Sequence, residues 1–523
     1  MPLILQASGL SYRYPEQLDP LFTGLELTLR GAEHIALLGV NGSGKTTLLD
    51  LLSGTLPLQS GQLTAHAEPL YLRQEDTLTG DKTVLDAALE SYPDLGPLKA
   101  EMAQQEAAGV PEPLCYAELL AGFAEAGGYA LEATLQTELG ALGYDPELLA
   151  RPLTELSGGE RRLLRLVAAF ARPHALLLLD EPTNYLDERA TYYLTRKIRE
   201  TEAACLIVSH DRRFLDGTVD AVLELERGSL RRYRGDYSSF WRQKETEYTE
   251  KVRKSGKLKN EITQLKVQER TYKVWGARKE KEKSKVKSDG PVDKGFIGAR
   301  AARLMRRGIQ AKERLRGRID DLEETRPWVE KRYAVAFDTP ELPSGVCLSA
   351  REVPILGGTV SLNVAYGERW ALAGGNGSGK TTLLRSLLGL DVTTGSVTWD
   401  KRAVVGYLPQ RYDTAHDAET LEALFAEADR HRARMLAGTL GVSGETFAQP
   451  LASLSEGQKR KIRLVQLILA RPNVLVLDEP TTHLDYVSVE MLEAALIGFP
   501  GTLLLVSHDA YLLERTTERR LEL

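Results

Sequence analysis

Three segments of this chain occur twice, in the same order, so whatever it folds into must hold two copies of one unit. GVNGSGKTT at Gly39–Thr47 returns as GGNGSGKTT at Gly374–Thr382. LLLLDEPTNYLD at Leu176–Asp187 returns as VLVLDEPTTHLD at Val474–Asp485, and LIVSHD at Leu206–Asp211 returns as LLVSHD at Leu504–Asp509. Lys45 and Lys380 lie 335 residues apart, whereas Asp180 and Asp478, like His210 and His508, lie 298 apart. The first copy therefore carries 37 residues that the second lacks, somewhere between Gln74 and Ser157. That interval is rich in Ala, Leu and Glu and is broken by Pro93, Pro97, Pro111 and Pro113, which predicts a helical insertion over about 85–150.

A chain of 523 residues is too long for one core. The repeat predicts two large α/β domains, 1–237 and 335–523, joined by a third segment, 238–334. Charge sets the joining segment apart. Residues 241–333 hold 28 Lys and Arg against 15 Asp and Glu, a net +13 in a chain whose total is −6, which leaves −19 for the rest. Leu258, Ile262 and Leu265 form a narrow apolar seam, and Leu315, Ile319 and Leu322 repeat its spacing beyond the breaker SDGPVDKG at Ser288–Gly295. Two helices of about 35–45 residues, each about 50–70 Å long, are expected here as an antiparallel coiled-coil hairpin. The fold class is thus two tandem P-loop α/β domains joined by an α-helical hairpin.

Apolar runs such as Ala175–Leu179 and Thr502–Val506 are of strand length, far from the ~20 residues a membrane span needs. The opening MPLILQASGLSYRYP has no secretory-leader pattern, and Cys115, Cys205 and Cys347 lie far apart without metal-ligand spacing. A reduced, cytoplasmic setting is expected.

Each GSGKTT segment follows an apolar run, HIALLG at His34–Gly39 or RWALAG at Arg369–Gly374, and precedes a helix-forming one. A glycine-rich turn between strand and helix aims backbone N–H groups at a polyphosphate. Phosphate binding is expected at Gly39, Asn41, Gly42, Ser43, Gly44, Lys45, Thr46 and Thr47, and again at Gly374, Asn376, Gly377, Ser378, Gly379, Lys380, Thr381 and Thr382. Lys45 and Lys380 would add charge at the phosphates, and Thr46 and Thr381 a hydroxyl for Mg²⁺. Asp180 and Asp478 end apolar runs, where a carboxylate can hold Mg²⁺ through water. Glu181 and Glu479 follow them, placed to polarise an attacking water as general bases. His210 and His508 close the repeated VSH segment, where an imidazole would sense the γ-phosphate. LSGGE at Leu156–Glu160 and LSEGQ at Leu454–Gln458 precede basic helical runs; read singly, each Ser is an ordinary helix N-cap.

In combination these motifs resemble the ATP-binding cassette family, over nearly the whole chain outside the hairpin. The resemblance implies that Gln74 and Gln410 are Q-loop residues that help hold Mg²⁺. It implies that Ser157, Gly158 and Gly159, with Ser455 and Gly457, are signature residues that touch ATP. Leu186-Asp187 and Leu484-Asp485 would be D-loops, and Tyr14 the adenine-stacking aromatic. Cassettes of this family pack head to tail, so the Lys45, Glu181 and His210 set would share an ATP with Ser455 and Gly457. Lys380, Glu479 and His508 would share the other with Ser157 and Gly159. Two departures matter: Glu456 replaces the first signature glycine, and REVPILGG at Arg351–Gly358 offers no counterpart of Tyr14. Unequal nucleotide affinity at the two sites is expected.

Tandem cassettes without a membrane segment, an insertion in the first and a basic hairpin between them resemble the ABC-F proteins, which are ribosome-binding translation ATPases. The resemblance implies an ATP-hydrolysing monomer that acts from the tRNA exit site through its linker, with ribosomal RNA and P-site tRNA as partners. The LSEGQ signature and long basic hairpin are similar to those of the antibiotic-resistance, ribosomal-protection branch. A +13 hairpin suits phosphate contacts, and Tyr272, Trp275 and Phe296 near its turn suit stacking on bases. Two alternatives stand beside this reading. One is the soluble ATPase subunit of a drug exporter with a separate membrane partner; the other is a DNA-structure ATPase that uses the hairpin as a clamp.

Overall fold

The computed structural model describes residues 2–15, 19–74, 82–90, 92, 94–107, 113–184, 186–283, 294–327, 335–356, 358–375, 377–391, 394–410 and 420–523; at 113, 272–283, 294–308 and 445 it describes the backbone alone. The first copy runs β1 (Leu3–Tyr12), β2 (Phe22–Arg30), β3 (His34–Leu38), α1 (Lys45–Leu52), β4 (Ser60–Ala65) and β5 (Leu70–Leu72). Four helices follow: α2 (Val84–Glu90), α3 (Gly96–Ala107), α4 (Pro113–Glu125) and α5 (Gly128–Ala141). It closes with α6 (Gly158–Phe170), β6 (Leu176–Asp180), α7 (Glu188–Glu200), β7 (Ala204–Val208), α8 (Arg212–Thr218), β8 (Ala221–Glu226) and β9 (Ser229–Arg234).

After the long helices α9 (Tyr237–Lys283) and α10 (Lys294–Thr325), the second copy begins with β10 (Val346–Ile355), β11 (Gly358–Ala365), β12 (Arg369–Ala373) and α11 (Lys380–Leu387). It continues through β13 (Ser396–Trp399), β14 (Val405–Leu408), α12 (Arg430–Thr439), α13 (Glu456–Leu469) and β15 (Val474–Asp478). It ends with α14 (Tyr486–Ile497), β16 (Thr502–Val506), α15 (Ala510–Thr516) and β17 (Arg519–Glu522).

The strands of each copy divide by sequence pattern. LLLLD of β6, ACLIV of β7, VLVLD of β15 and TLLLV of β16 are buried along their whole length. Such unbroken apolar runs suit a parallel sheet covered on both faces. They form its centre in each copy, with order β5-β6-β7-β3-β8-β9 in the first and β14-β15-β16-β12-β17 in the second. Runs that alternate, such as FTGLELTLR of β2, pack one face only and sit in three-stranded antiparallel sheets, β2-β1-β4 and β11-β10-β13.

The expected insertion is helical: α2 to α5 occupy it, and Pro97 and Pro113 lie in the first turns of α3 and α4 rather than between helices. A proline costs nothing there, because the first N–H groups of a helix have no partner within it. Cys205 and Cys347 are buried, whereas Cys115 on α4 is only partly covered.

Contacts divide the chain into one unit of Met1–Phe240 with Tyr333–Leu523, holding both cassettes, and a second unit, Trp241–Arg332. The first turn of α9 therefore belongs to the cassettes: Tyr237 and Phe240 are buried there, and the Phe240 ring meets the Tyr486 ring edge-on at 5.9 Å. Within the second unit, Ile262 and Ile319 are buried, while Leu258, Leu265, Leu315 and Leu322 are half-buried among exposed neighbours. Lys266 pairs with Glu323 at 2.6 Å and Arg318 with Glu261 at 3.1 Å, so α9 and α10 are joined along that seam. Of the expected breaker at Ser288–Gly295, residues 288–293 lie outside the described residues, as do the side chains of Tyr272, Trp275 and Phe296, whereas Lys294 and Gly295 already belong to α10. Among the described residues no helix is long and apolar enough to cross a membrane.

Candidate functional site

Strand order explains why residues scattered along the sequence meet. β5, β6, β7 and β3 are consecutive neighbours, and their carboxyl ends carry Gln74, Asp180-Glu181, His210 and the first phosphate loop. β14, β15, β16 and β12 repeat this with Gln410, Asp478-Glu479, His508 and the second loop. Parallel α/β sheets bind ligands in the crevice beyond such ends. Register completes the match: Asp180 lies opposite Val208 and Asp478 opposite Val506, so each glutamate meets the histidine two residues beyond the neighbouring strand. His210 Nε2 is 3.3 Å from Glu181 Oε1, and His508 Nε2 is 3.5 Å from Glu479 Oε1.

Gly39, Asn41, Gly42, Ser43 and Gly44 form the turn from β3 into α1, which opens with Lys45, Thr46 and Thr47. Gly374, Gly377, Ser378 and Gly379 lead likewise into Lys380, Thr381 and Thr382 of α11; Asn376 lies outside the described residues. Gly44 and Gly379 cap these helices at φ 97° and 95°, a left-handed backbone that a side chain would strain. Each lysine folds back on its own loop. Lys45 Nζ donates to the Gly39 carbonyl at 2.8 Å, and Lys380 Nζ to those of Gly374 and Gly375 at 2.8 and 2.9 Å. Burial holds both ammonium groups below their usual pKa.

Thr46 Oγ1 donates to Asp180 Oδ2 at 2.9 Å. Burial raises the pKa of Asp180 and of Asp478, and the Thr46 and Thr381 hydroxyls pull each partly back. Among the described residues no cluster of three His, Cys, Asp or Glu gathers. At each phosphate loop one carboxylate, Asp180 or Asp478, stands with one hydroxyl, Thr46 or Thr381, and with further oxygens from a nucleotide and water that donor set would suit Mg²⁺. Gln74 and Gln410 are exposed two residues past β5 and β14.

Glu181 and Glu479 adopt φ of 47° and 49°, a costly backbone for a side-chain-bearing residue, and the same one in both copies. Burial, helped by the adjacent Asp180, pushes Glu181 up to about 8. Burial, helped by Lys45, pushes His210 down to about 3.

Sequence reasoning missed the residues that clamp this backbone. Arg162 of α6, 4% exposed, donates to the carbonyls of Asp180 at 2.8 Å, Glu181 at 3.1 Å and Arg73. Arg460 of α13, 1% exposed, donates to Asp478 at 2.9 Å, to Gln410 at 3.4 Å and to Glu479. The one signal in the sequence is an arginine five residues past each signature serine, set in an otherwise apolar helical stripe.

Ser157 and Ser455 are helix N-caps with full capping boxes. Glu160 N donates to Ser157 Oγ and Gln458 N to Ser455 Oγ, each at 3.3 Å. Both serines thus cap their helices, with Gly158, Gly159 and Gly457 in the first turns of α6 and α13, where N–H groups face outward. Glu456, 59% exposed, pairs with Lys459 at 3.3 Å, which offsets its charge. Tyr14 donates to or accepts from Thr47 Oγ1 at 2.7 Å, beside the first loop.

The first loop meets the second cassette. Asn41 Nδ2 donates to the His483 carbonyl at 2.8 Å, and a methyl group on Gly457 would stand 2.5 Å from that carbonyl oxygen and 2.6 Å from Asn41 Nδ2. Arg212, 3% exposed, adds ion pairs to Glu490 at 3.0 Å, Glu493 at 2.6 Å and Asp509 at 3.0 Å. Tyr486 donates to Glu224 at 2.7 Å and Tyr511 to Asp216 at 2.7 Å.

Known proteins resemble this chain in sequence and in fold. The ABC transporter domain family matches residues 22–184 and 358–482, and a second ABC transporter family model matches 223–288. The chain is 30% identical over 534 residues to the ribosome protection protein VmlR of Bacillus subtilis (strain 168), covering 100% of this chain and 87% of that one. It is 33% identical over 513 residues to ATP-binding cassette sub-family F member 3 of Homo sapiens, covering 94% of this chain and 67% of that one. Among solved structures it is similar to that of the archaeal ribosome recycling factor aABCE1 in complex with the ribosomal stalk protein aP1. The TM-score is 0.57 at 17% identity, over 98% of this chain and 87% of that one, a likeness of fold.

Proposed function

Since the chain belongs to the ATP-binding cassette family, within sub-family F, and is an ATPase, we propose that it hydrolyses ATP at two composite sites and couples their closure to the ribosome. The observation that carries the catalytic half is the repeated Glu–His pair behind each phosphate loop, 3.3 and 3.5 Å across. Lys45 and Lys380 leave their loop carbonyls to hold the phosphates. Glu181 and Glu479 take the proton of the attacking water, while His210 and His508 orient that water and the γ-phosphate. Thr46 with Asp180, and Thr381 with Asp478, would hold Mg²⁺, aided by Gln74 and Gln410, and the bound ion would neutralise phosphate charge. Ser157 with Gly159, and Ser455 with Gly457, bring helix N-terminal donors to the ATP of the opposite cassette. Tyr14 stacks on the adenine at the first loop.

The ribosomal half rests on the +13 segment and on a relative named as a ribosome protection protein. In this reading the linker docks on ribosomal RNA and P-site tRNA from the tRNA exit site, and docking displaces antibiotics bound nearby. The decisive experiment is cosedimentation of the chain with 70S ribosomes in ATP against ADP. ATP-dependent retention is expected, and equal retention in both nucleotides would sink the coupling. In vitro translation with peptidyl-transferase antibiotics then tests protection.

A further inference from the structure

The loop His483–Tyr486, which contains the second D-loop, is tied down on both sides. Its His483 carbonyl, on a residue at φ 62°, accepts from Asn41 of the first cassette at 2.8 Å. Asp485, 2% exposed, pairs with Lys461, 4% exposed, at 2.6 Å. Tyr486 reaches into the first cassette and donates to Glu224, a carboxylate 1% exposed, at 2.7 Å. The first D-loop lacks two of these ties. At the repeat spacing of 298, Leu163 stands for Lys461, and Glu188, its side chain 84% exposed, stands for Tyr486. The counterpart of Arg212, which bridges the cassettes, is Ala510.

We propose that Lys461 and Tyr486 are positioning residues that fix the second D-loop over the first cassette's ATP site, making the Lys45 site long-lived and occluded and the Lys380 site the one that exchanges nucleotide. This rests on the ATP-site reading above and adds a division of labour to it. Accessibility agrees: the His210 side chain is 18% exposed against 43% for His508.

The test loads the full chain with 8-azido-ATP in the dark, chases with ADP for increasing times, irradiates to fix what remains bound, and digests the chain to assign covalent label to 1–240 or 335–523. In the wild type, label should persist longer in the first cassette. Lys461→Leu installs the residue that the first copy already buries at this position, and Tyr486→Phe keeps the ring against Phe240. Each should shorten first-cassette retention by about fivefold or more, through faster dissociation, and leave the second cassette within about twofold. Lys461→Arg should restore retention. Equal retention in the two wild-type cassettes, or equal losses from both in the variants, overturns the proposal while the ATPase reading stands. Label in neither cassette overturns both.

Discussion

Glu181 Oε1 and His210 Nε2 face each other at 3.3 Å from the ends of neighbouring parallel strands, and Glu479 and His508 repeat the pair at 3.5 Å. Glu181→Gln with Glu479→Gln keeps the shape of each side chain and removes the base. Turnover should fall on the order of 10²–10⁴-fold while ATP binding persists. Steady-state hydrolysis and equilibrium nucleotide binding, measured on the same preparation, check this. Near wild-type turnover would remove both residues from the base role.

Arg162 and Arg460 act on that pair from behind, through the carbonyls of Asp180-Glu181 and Asp478-Glu479. Lysine at either position keeps the charge but cannot span several carbonyls at once. Arg162→Lys should cost about 2–4 kcal/mol, read as a fall in Tm of roughly 5–10 °C. It should also lower kcat more than KM, because the carboxylate it misplaces acts on the water and not on the nucleotide. Unchanged Tm and kcat would show that the backbone at Glu181 holds its left-handed turn unaided.

Much of the site is legible in the sequence because its chemistry is carried by the repeat: the loops, the Asp-Glu pairs and the histidines each appear twice at one spacing. Strand order is not legible, and strand order is what brings Gln74, Glu181, His210 and Lys45 to adjacent strand ends. The arginine clamps escape notice because a basic residue in a basic helix reads as solvated, whereas Arg162 and Arg460 are buried against backbone carbonyls. Glu456 reads as an acid beside a polyphosphate; only the folded chain reveals its partner Lys459. The contacts of Arg212 join elements about 280–300 residues apart, a pairing that periodicity cannot supply.

Asp211 caps α8 through the Phe214 N–H at 3.0 Å, and burial, with Asp509 nearby, raises its pKa to about 6. A carboxyl whose folded pKa lies above its unfolded value favours the fold below about pH 4 and loses that contribution as pH rises through about 6. Asp211→Asn keeps an N-cap acceptor and removes the charge. The variant should match the wild type near pH 4 and become more stable by about 1–3 kcal/mol above pH 7. Thermal melts across that range give the answer. A difference that is constant with pH would mean that Asp211 is ionised at no cost.

The basic segment should govern ribosome binding without touching ATP chemistry, because every residue assigned to nucleotide lies in Tyr14–His210 or Gly374–His508. Lys279, Lys281, Lys283, Lys285 and Lys287 alternate along ARKEKEKSKVK at Ala277–Lys287. Neutralising all five to Gln should leave basal hydrolysis within about twofold and weaken ribosome retention. For every phosphate that a lysine no longer neutralises, the slope of log affinity against log salt should also become shallower by about 0.7–0.9. Cosedimentation of the variant in the Glu181→Gln, Glu479→Gln background, across a salt series, measures both quantities. An unchanged slope would mean that these lysines are solvated and meet no phosphate. Replacing Gly276–Gly295 by a short Gly-Ser turn is the harsher version: protection of translation that survives it would end the ribosomal reading of this segment and favour the exporter-subunit alternative.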